Sequence, residues 1–162
     1  MGFIRLSFSA APPVKPAIIH RIEPTQKTAL QSPEQNLKGT ESMLRCGIDM
    51  IENQRIADGI QRLGERFLNR FFTAGEREDC EDKPHRLAAR FAAKEAVAKA
   101  IGTGIGDIGW TEIEIRCNNP RNRPMLHLHG EAARIAAEMG ITQWDVSLTH
   151  TDEYASAIAV AL

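Results

Sequence analysis

The segment RLAARFAAKEAVAKAI, residues 86–101, restricts the fold more than any other part of this 162-residue chain. It is built of alanine and long-chain charged residues, which are good helix formers, with no internal proline or glycine. Pro84 suits the first turn of a helix, where no amide donor is needed, and Gly102 and Gly104 stop it. The fold must therefore accommodate one long helix. Before it, LRCGIDMIE at 44–52 reads as a short strand whose end exposes Asp49 and Glu52 ahead of a helix. Ile56, Ile60 and Leu63, then Phe67, Leu68 and Phe71, recur at helical spacing, with a break near Gly64 that predicts two consecutive pieces. Thr73 and Glu76 have the spacing of a capping box. Beyond the long helix, Trp110–Arg116 and Met125–Leu128 alternate as strands, Glu131–Met139 reads as a short helix, and WDVSLTH and YASAIAVAL are two further strands around a polar turn. This order favours a compact α+β domain over serial βαβ units or repeats.

The first 40 residues behave differently. Five prolines, at 12, 13, 16, 24 and 33, interrupt any regular element there, so residues 1–43 are read as an N-terminal extension and 44–162 as the domain. Residues 1–22 carry Arg5, Lys15 and Arg21 without an acid, which makes organellar targeting a candidate role; Arg5 and the prolines break the apolar run a secretory signal needs. Twenty Lys and Arg against 21 Asp and Glu leave a formal charge of −1, too balanced to make nucleic acid the leading partner. No stretch approaches the roughly 20 apolar residues of a membrane span. Cys46, Cys80 and Cys117 suit neither a disulfide scaffold nor a CxxC site; each reads as a small buried hydrophobe in a reducing, cytoplasmic setting. His127 and His129 alternate on a strand without the third ligand that zinc would need. GTGIG follows a helix, where it serves as a cap and turn rather than a nucleotide fingerprint.

Among polar residues, Glu95 and Lys99 share a face of the long helix, and Asp49 lies where a strand gives way to a turn. One reading is a helix-stabilising pair worth about 0.2–0.5 kcal/mol. The other is a metal-centred site, with two carboxylates as hard oxygen ligands for Mg²⁺, phosphate oxygens and water completing the shell, and Lys99 offsetting phosphate charge.

Four blocks carry a resemblance: GIDMIENQR at 47–55, RFLNRFFTAGE at 66–76, RFAAKEAVAKAIGTG at 90–104 and VSLTHTDEYA at 146–155. In this order they resemble holo-acyl-carrier-protein synthase, the small homotrimeric type of 4′-phosphopantetheinyl transferase. The resemblance covers nearly all of 44–162. It implies a small antiparallel sheet packed against helices, and Mg²⁺-dependent transfer of 4′-phosphopantetheine from coenzyme A to a serine of apo acyl carrier protein, an early requirement of fatty acid biosynthesis. Adenosine 3′,5′-bisphosphate is the second product. Asp49 and Glu95 match the family's metal acids, and Lys99 its catalytic lysine, assigned phosphate stabilisation first and proton transfer second. An ordinary lysine pKa of about 10 leaves a carboxylate or a water as rival bases. Glu52 belongs to the motif but is assigned to the turn or a bound water. Arg90, Lys99, Gly102, Gly104, Pro124, His150 and Thr151 fall where the family contacts coenzyme A. Arg55, Arg62 and Arg66 fall where it receives the acidic helix of the carrier protein. Asn53 departs from the family's usual apolar residue. The resemblance also implies active sites between subunits of a homotrimer. Rival readings are an inactive homologue that binds coenzyme A or carrier protein, and a phosphohydrolase acting on a coenzyme A-like compound.

Overall fold

The computed structural model describes residues 43–162; the readings placed on residues 1–42 lie outside it. Strand β1 (Arg45–Glu52) leads into helices α1 (Asn53–Leu63), α2 (Glu65–Phe71), α3 (Ala74–Cys80) and α4 (Pro84–Ile101). Strands β2 (Ile113–Arg116) and β3 (Met125–Leu128), helix α5 (Gly130–Glu138), and strands β4 (Trp144–His150) and β5 (Tyr154–Ala161) complete the domain. The main sheet is antiparallel in the order β1-β5-β4, and β2 pairs with β3 in a separate ribbon. The α+β expectation holds, with one long helix at its centre.

Helix α4 begins on Pro84 and ends on Gly102, whose φ of 90° is left-handed backbone that a side chain would strain. Small side chains let its neighbours come close. Ala155, Ala157, Ala159 and Ala161 of β5 are buried, as are seven alanines of α4, namely Ala88, Ala89, Ala92, Ala93, Ala96, Ala98 and Ala100. Strand β1 approaches so tightly at Gly47 that a Cβ there would stand 1.9 Å from the Ala96 carbonyl oxygen. Strand alternation then turns Gly47, Asp49 and Ile51 to one face and the exposed Ile48 and Met50 to the other. Two local readings change. Trp110–Glu112 form a 3₁₀ turn, so β2 starts only at Ile113; Glu112 stabilises that turn by accepting from the Gly109 amide at 2.9 Å. Cys46 is exposed, whereas Cys80 is buried as expected.

The capping box at Thr73 is present, and it does more than start α3. Glu76 accepts from the amides of Thr73 and Ile115, both at 2.9 Å, and pairs with Lys94 at 2.7 Å. Both side chains of the pair are fully buried, and the Lys94 ammonium also donates to the Trp110 carbonyl at 2.8 Å. Burial pushes the Glu76 carboxyl up and the Lys94 ammonium down, and the charge of each partner opposes the other's shift. The pair ties α3 to α4 and the start of β2. Lys94→Met leaves a buried carboxylate without its counter-charge and should cost about 3–5 kcal/mol of stability, read as a lower urea midpoint at unchanged slope.

Candidate functional site

Asp49 is placed by β1 and not by a turn. The strand continues to Glu52, because β5 pairs with it through Glu52↔Tyr154, and the Ser156 hydroxyl donates to the Asp49 carbonyl at 2.8 Å. The reading of 44–52 as a strand holds, and Asp49 lies within it rather than where it gives way to a turn. Because Asp49 faces α4, its carboxylate meets the helix. Lys99 Nζ donates to Asp49 Oδ1 at 2.7 Å and to the Ile48 carbonyl at 3.0 Å.

Glu95 lies one turn before Lys99. Burial raises its carboxyl pKa, the Asp49 charge raises it further, and Lys99 pulls it back. The three groups expected to act together are thus together, and the bland alternative of an isolated Glu95–Lys99 surface pair does not describe them. Lys99 bonds to the strand. Two neighbouring carboxylates with one half-exposed ammonium suit a hard divalent cation, which oxygen ligands hold and whose charge would relieve the acid pair. Among the described residues no group of three or more His, Cys, Asp or Glu side chains converges. A cation here would therefore draw its other ligands from water or substrate.

A second locus is a cleft of about 350 Å³ lined in part by Arg86, Arg90, Asp79, Pro124 and His150. It gathers three of the expected cofactor contacts, Arg90, Pro124 and His150. Arg90 is nearly buried, with Nε donating to the Ile115 carbonyl at 3.2 Å. Asp79, the cleft's acid, is engaged by Arg116 at 2.9 Å and by the Cys117 amide at 2.8 Å, which holds its carboxyl below the usual range. That leaves Arg90 and His150 as the groups offered to an anion, with Arg86 at the cleft's edge already bonded to Glu81 at 2.8 Å. Arg86 and Asp79 escaped the sequence reading because only tertiary packing brings them beside Arg90. The His150 ring also lies beside that of His85, tilted at 58° with centroids 5.1 Å apart.

Other expected contacts lie elsewhere. The Thr151 hydroxyl accepts from the Glu153 and Tyr154 amides at 3.3 and 3.0 Å, so it builds the β4–β5 turn. A Cβ at Gly102 or Gly104 would meet nothing within 4 Å; the need at Gly102 is its left-handed φ, not close approach. Arg90 and Glu95 are five residues apart on α4, roughly 140° around the helix, so the cleft and the acid pair face different directions within one chain.

Arg62 and Arg66 line a shallow groove of about 250 Å³ with Leu63, Phe67, Arg70 and Phe71. Arg55 is exposed two turns before Arg62 on the same helix, outside the groove. Arg70, whose guanidinium lies 5.5 Å from the Phe71 ring centre, was missed; its spacing of four from Arg66 was the available signal. No helix among the described residues is long and apolar enough to cross a membrane.

The family model of the 4′-phosphopantetheinyl transferase superfamily matches residues 45–159. A holo-[acyl-carrier-protein] synthase of Herpetosiphon aurantiacus is 44% identical over 127 residues, covering 74% of this chain and 99% of that protein. One from Dehalococcoides mccartyi is 47% identical over 119 residues, 74% of this chain and 98% of that protein. The crystal structure of Helicobacter pylori holo-[acyl-carrier-protein] synthase in complex with coenzyme A superposes with a TM-score of 0.66 at 30% identity, over 72% of this chain and 99% of that one.

A carboxyl whose folded pKa is raised favours folding below its unfolded pKa, and that benefit is lost as pH rises through the folded value. Glu95 is such a group. Glu95→Gln should therefore raise the melting temperature of the metal-free protein at pH 7, with the gain vanishing near pH 4. Calorimetric scans at the two pH values check this; equal gains at both would refute the electrostatic origin.

Proposed function

Since the chain belongs to the holo-acyl-carrier-protein synthase family of the 4′-phosphopantetheinyl transferase superfamily, a family of enzymes, we propose that it moves 4′-phosphopantetheine from coenzyme A to a serine of apo acyl carrier protein. The observation that carries this reading is the meeting of Asp49 on β1 with Glu95 and Lys99 on α4, inside the matched segment. In the proposed reaction the carrier serine oxygen bonds to the phosphorus bearing pantetheine. The bond from that phosphorus to the bridging oxygen breaks, adenosine 3′,5′-bisphosphate leaves, and the serine proton passes to a base.

Asp49 and Glu95 would hold Mg²⁺, which when bound supplies charge neutralisation and orientation of the pyrophosphate. Lys99, with two N–H groups given to the Asp49 carboxylate and the Ile48 carbonyl, would present its third to a phosphate oxygen as negative charge develops. Arg90 and His150 would bind phosphate of coenzyme A in the cleft, where Pro124 forms part of the wall and Arg86, paired with Glu81, lies at the edge. Thr151 contributes through the turn it closes, and Gly102 and Gly104 leave open backbone after α4. Arg55, Arg62, Arg66 and Arg70 would steer and orient an acidic carrier-protein helix, and the Phe67–Phe71 groove offers it an apolar seat.

The different directions of cleft and acid pair support an active site completed by another copy, as a homotrimer would provide. The exposed outer face of the main sheet, with Ile48 63%, Met50 65% and Ile158 39% accessible, is the surface proposed for that assembly. The proposed setting is the cytoplasm.

Incubating the full chain with apo acyl carrier protein, coenzyme A and Mg²⁺ should add the phosphopantetheine mass to the carrier; no mass change with a competent carrier overturns the reading. Asp49→Asn and Lys99→Ala should each lower kcat by about 10²–10³-fold, the scale of removing one electrostatic stabiliser. Arg62→Glu should instead raise KM for carrier protein and weaken its salt dependence while leaving KM for coenzyme A unchanged. In sedimentation, Met50→Glu should shift the assembly toward monomer and lower transfer in parallel.

A further inference from the structure

The first residue of α1 is a buried asparagine, and its amide is not used to cap its own helix. Asn53 Nδ2 donates to the Thr151 carbonyl at 2.9 Å and to the Asp152 carbonyl at 3.0 Å, and its backbone amide donates to the Glu153 carbonyl at 2.8 Å. Three consecutive carbonyls of the β4–β5 turn are thus held from one residue. The two acceptors fix which side-chain atom is nitrogen, and Oδ1 is left buried without a protein partner. An unmet buried acceptor is unfavourable, so the gain lies in the two donors. An apolar residue at this position would fill the space and leave the Thr151 and Asp152 carbonyls without these bonds.

What the turn carries gives the arrangement its consequence. His150 is the last residue of β4, directly before the clamped carbonyls, and its side chain lines the cleft with Arg86 and Arg90. β1 and β5 stay paired only to Glu52↔Tyr154, after which the chain leaves the sheet as α1. Without the side-chain donors, His150 would keep its ladder pairing with Ala155, but the tip after it would be tied only by the Asn53 backbone bond, the Thr151 amide bond to the Tyr154 carbonyl and the Thr151 hydroxyl.

Resting on the transferase reading, we propose that Asn53 is a positioning residue for coenzyme A, setting His150 in the cleft by clamping the turn that follows it. Asn53→Leu removes the donors, while Asn53→Asp keeps the shape and turns a carboxylate toward two carbonyl oxygens. Both should raise the calorimetric Kd and the KM for coenzyme A by about tenfold, the scale of a lost hydrogen-bond pair, with Asp worse than Leu. kcat should move far less. Hydrogen exchange at the Glu153 and Tyr154 amides, measured without coenzyme A, should quicken in both variants.

The decisive arm is a double-mutant cycle with His150→Ala. Adding Asn53→Leu to His150→Ala should weaken coenzyme A binding little further, because the clamp acts through that histidine; the Leu variant carries the cycle even if the Asp variant does not fold. Fully additive losses, or variants that bind coenzyme A as tightly as the unsubstituted chain, would overturn the inference while leaving the transferase reading intact. Failure of the unsubstituted chain to bind coenzyme A or modify carrier protein would remove both.

Discussion

The seating of β1 on α4 at Gly47 is the contact on which the rest of the arrangement depends. With a hypothetical Cβ only 1.9 Å from the Ala96 carbonyl oxygen, no side chain fits without moving strand from helix. Movement of that size would be felt two residues along. Asp49 reaches Lys99 across a 2.7 Å bond, and a hydrogen bond of this kind does not survive a displacement of an ångström or more. The alanines of α4 and β5 serve the same end, because they bury backbone against backbone and spend the domain's small core on proximity. The acid–lysine cluster is thus a consequence of packing small residues, which brings the strand within reach of the Lys99 ammonium.

Adjacent residues on α4 show how one helix divides its charges. Lys94 is fully buried and bonded to Glu76 and the Trp110 carbonyl. Glu95, the next residue, turns about 100° away toward Asp49 and Lys99, where half-exposure leaves room for a ligand. The first pair has its hydrogen bonds supplied by protein, which makes it a fixed joint. The second group has two carboxylates and one ammonium, and an unbalanced site is the one that gains from a bound cation or phosphate.

Local signals in the sequence proved the most legible. The α4 limits at Pro84 and Gly102, the break at Gly64 and the Thr73–Glu76 box all follow from short-range chemistry, and the structure contains each of them. What was hidden depends on distant partners. Asp49 lies inside β1 rather than where it gives way to a turn, held there by pairing with β5. Trp110–Glu112 alternates like a strand, but Glu112 folds back onto the Gly109 amide. Arg86 and Asp79 have no motif of their own and gain meaning only beside Arg90 and Arg116. Asn53 was visible as an odd polar residue, and its partners were not, since they lie some 98 residues away.

These partners bear on how the separate parts of the site are kept in relation. Asp49 belongs to β1, Glu95 and Lys99 to α4, and His150 to the end of β4; the cleft faces away from the acid pair. The Gly47 contact fixes β1 to α4, and the register of β1 with β5 carries that order to Tyr154. The β4–β5 ladder carries it on to His150 opposite Ala155, and Asn53 adds to this by bonding the three carbonyls of the turn between them. The acid pair and the cleft histidine are therefore referenced to the same strand from its two ends, so an adjustment at the strand–helix contact would move both halves of the proposed site together.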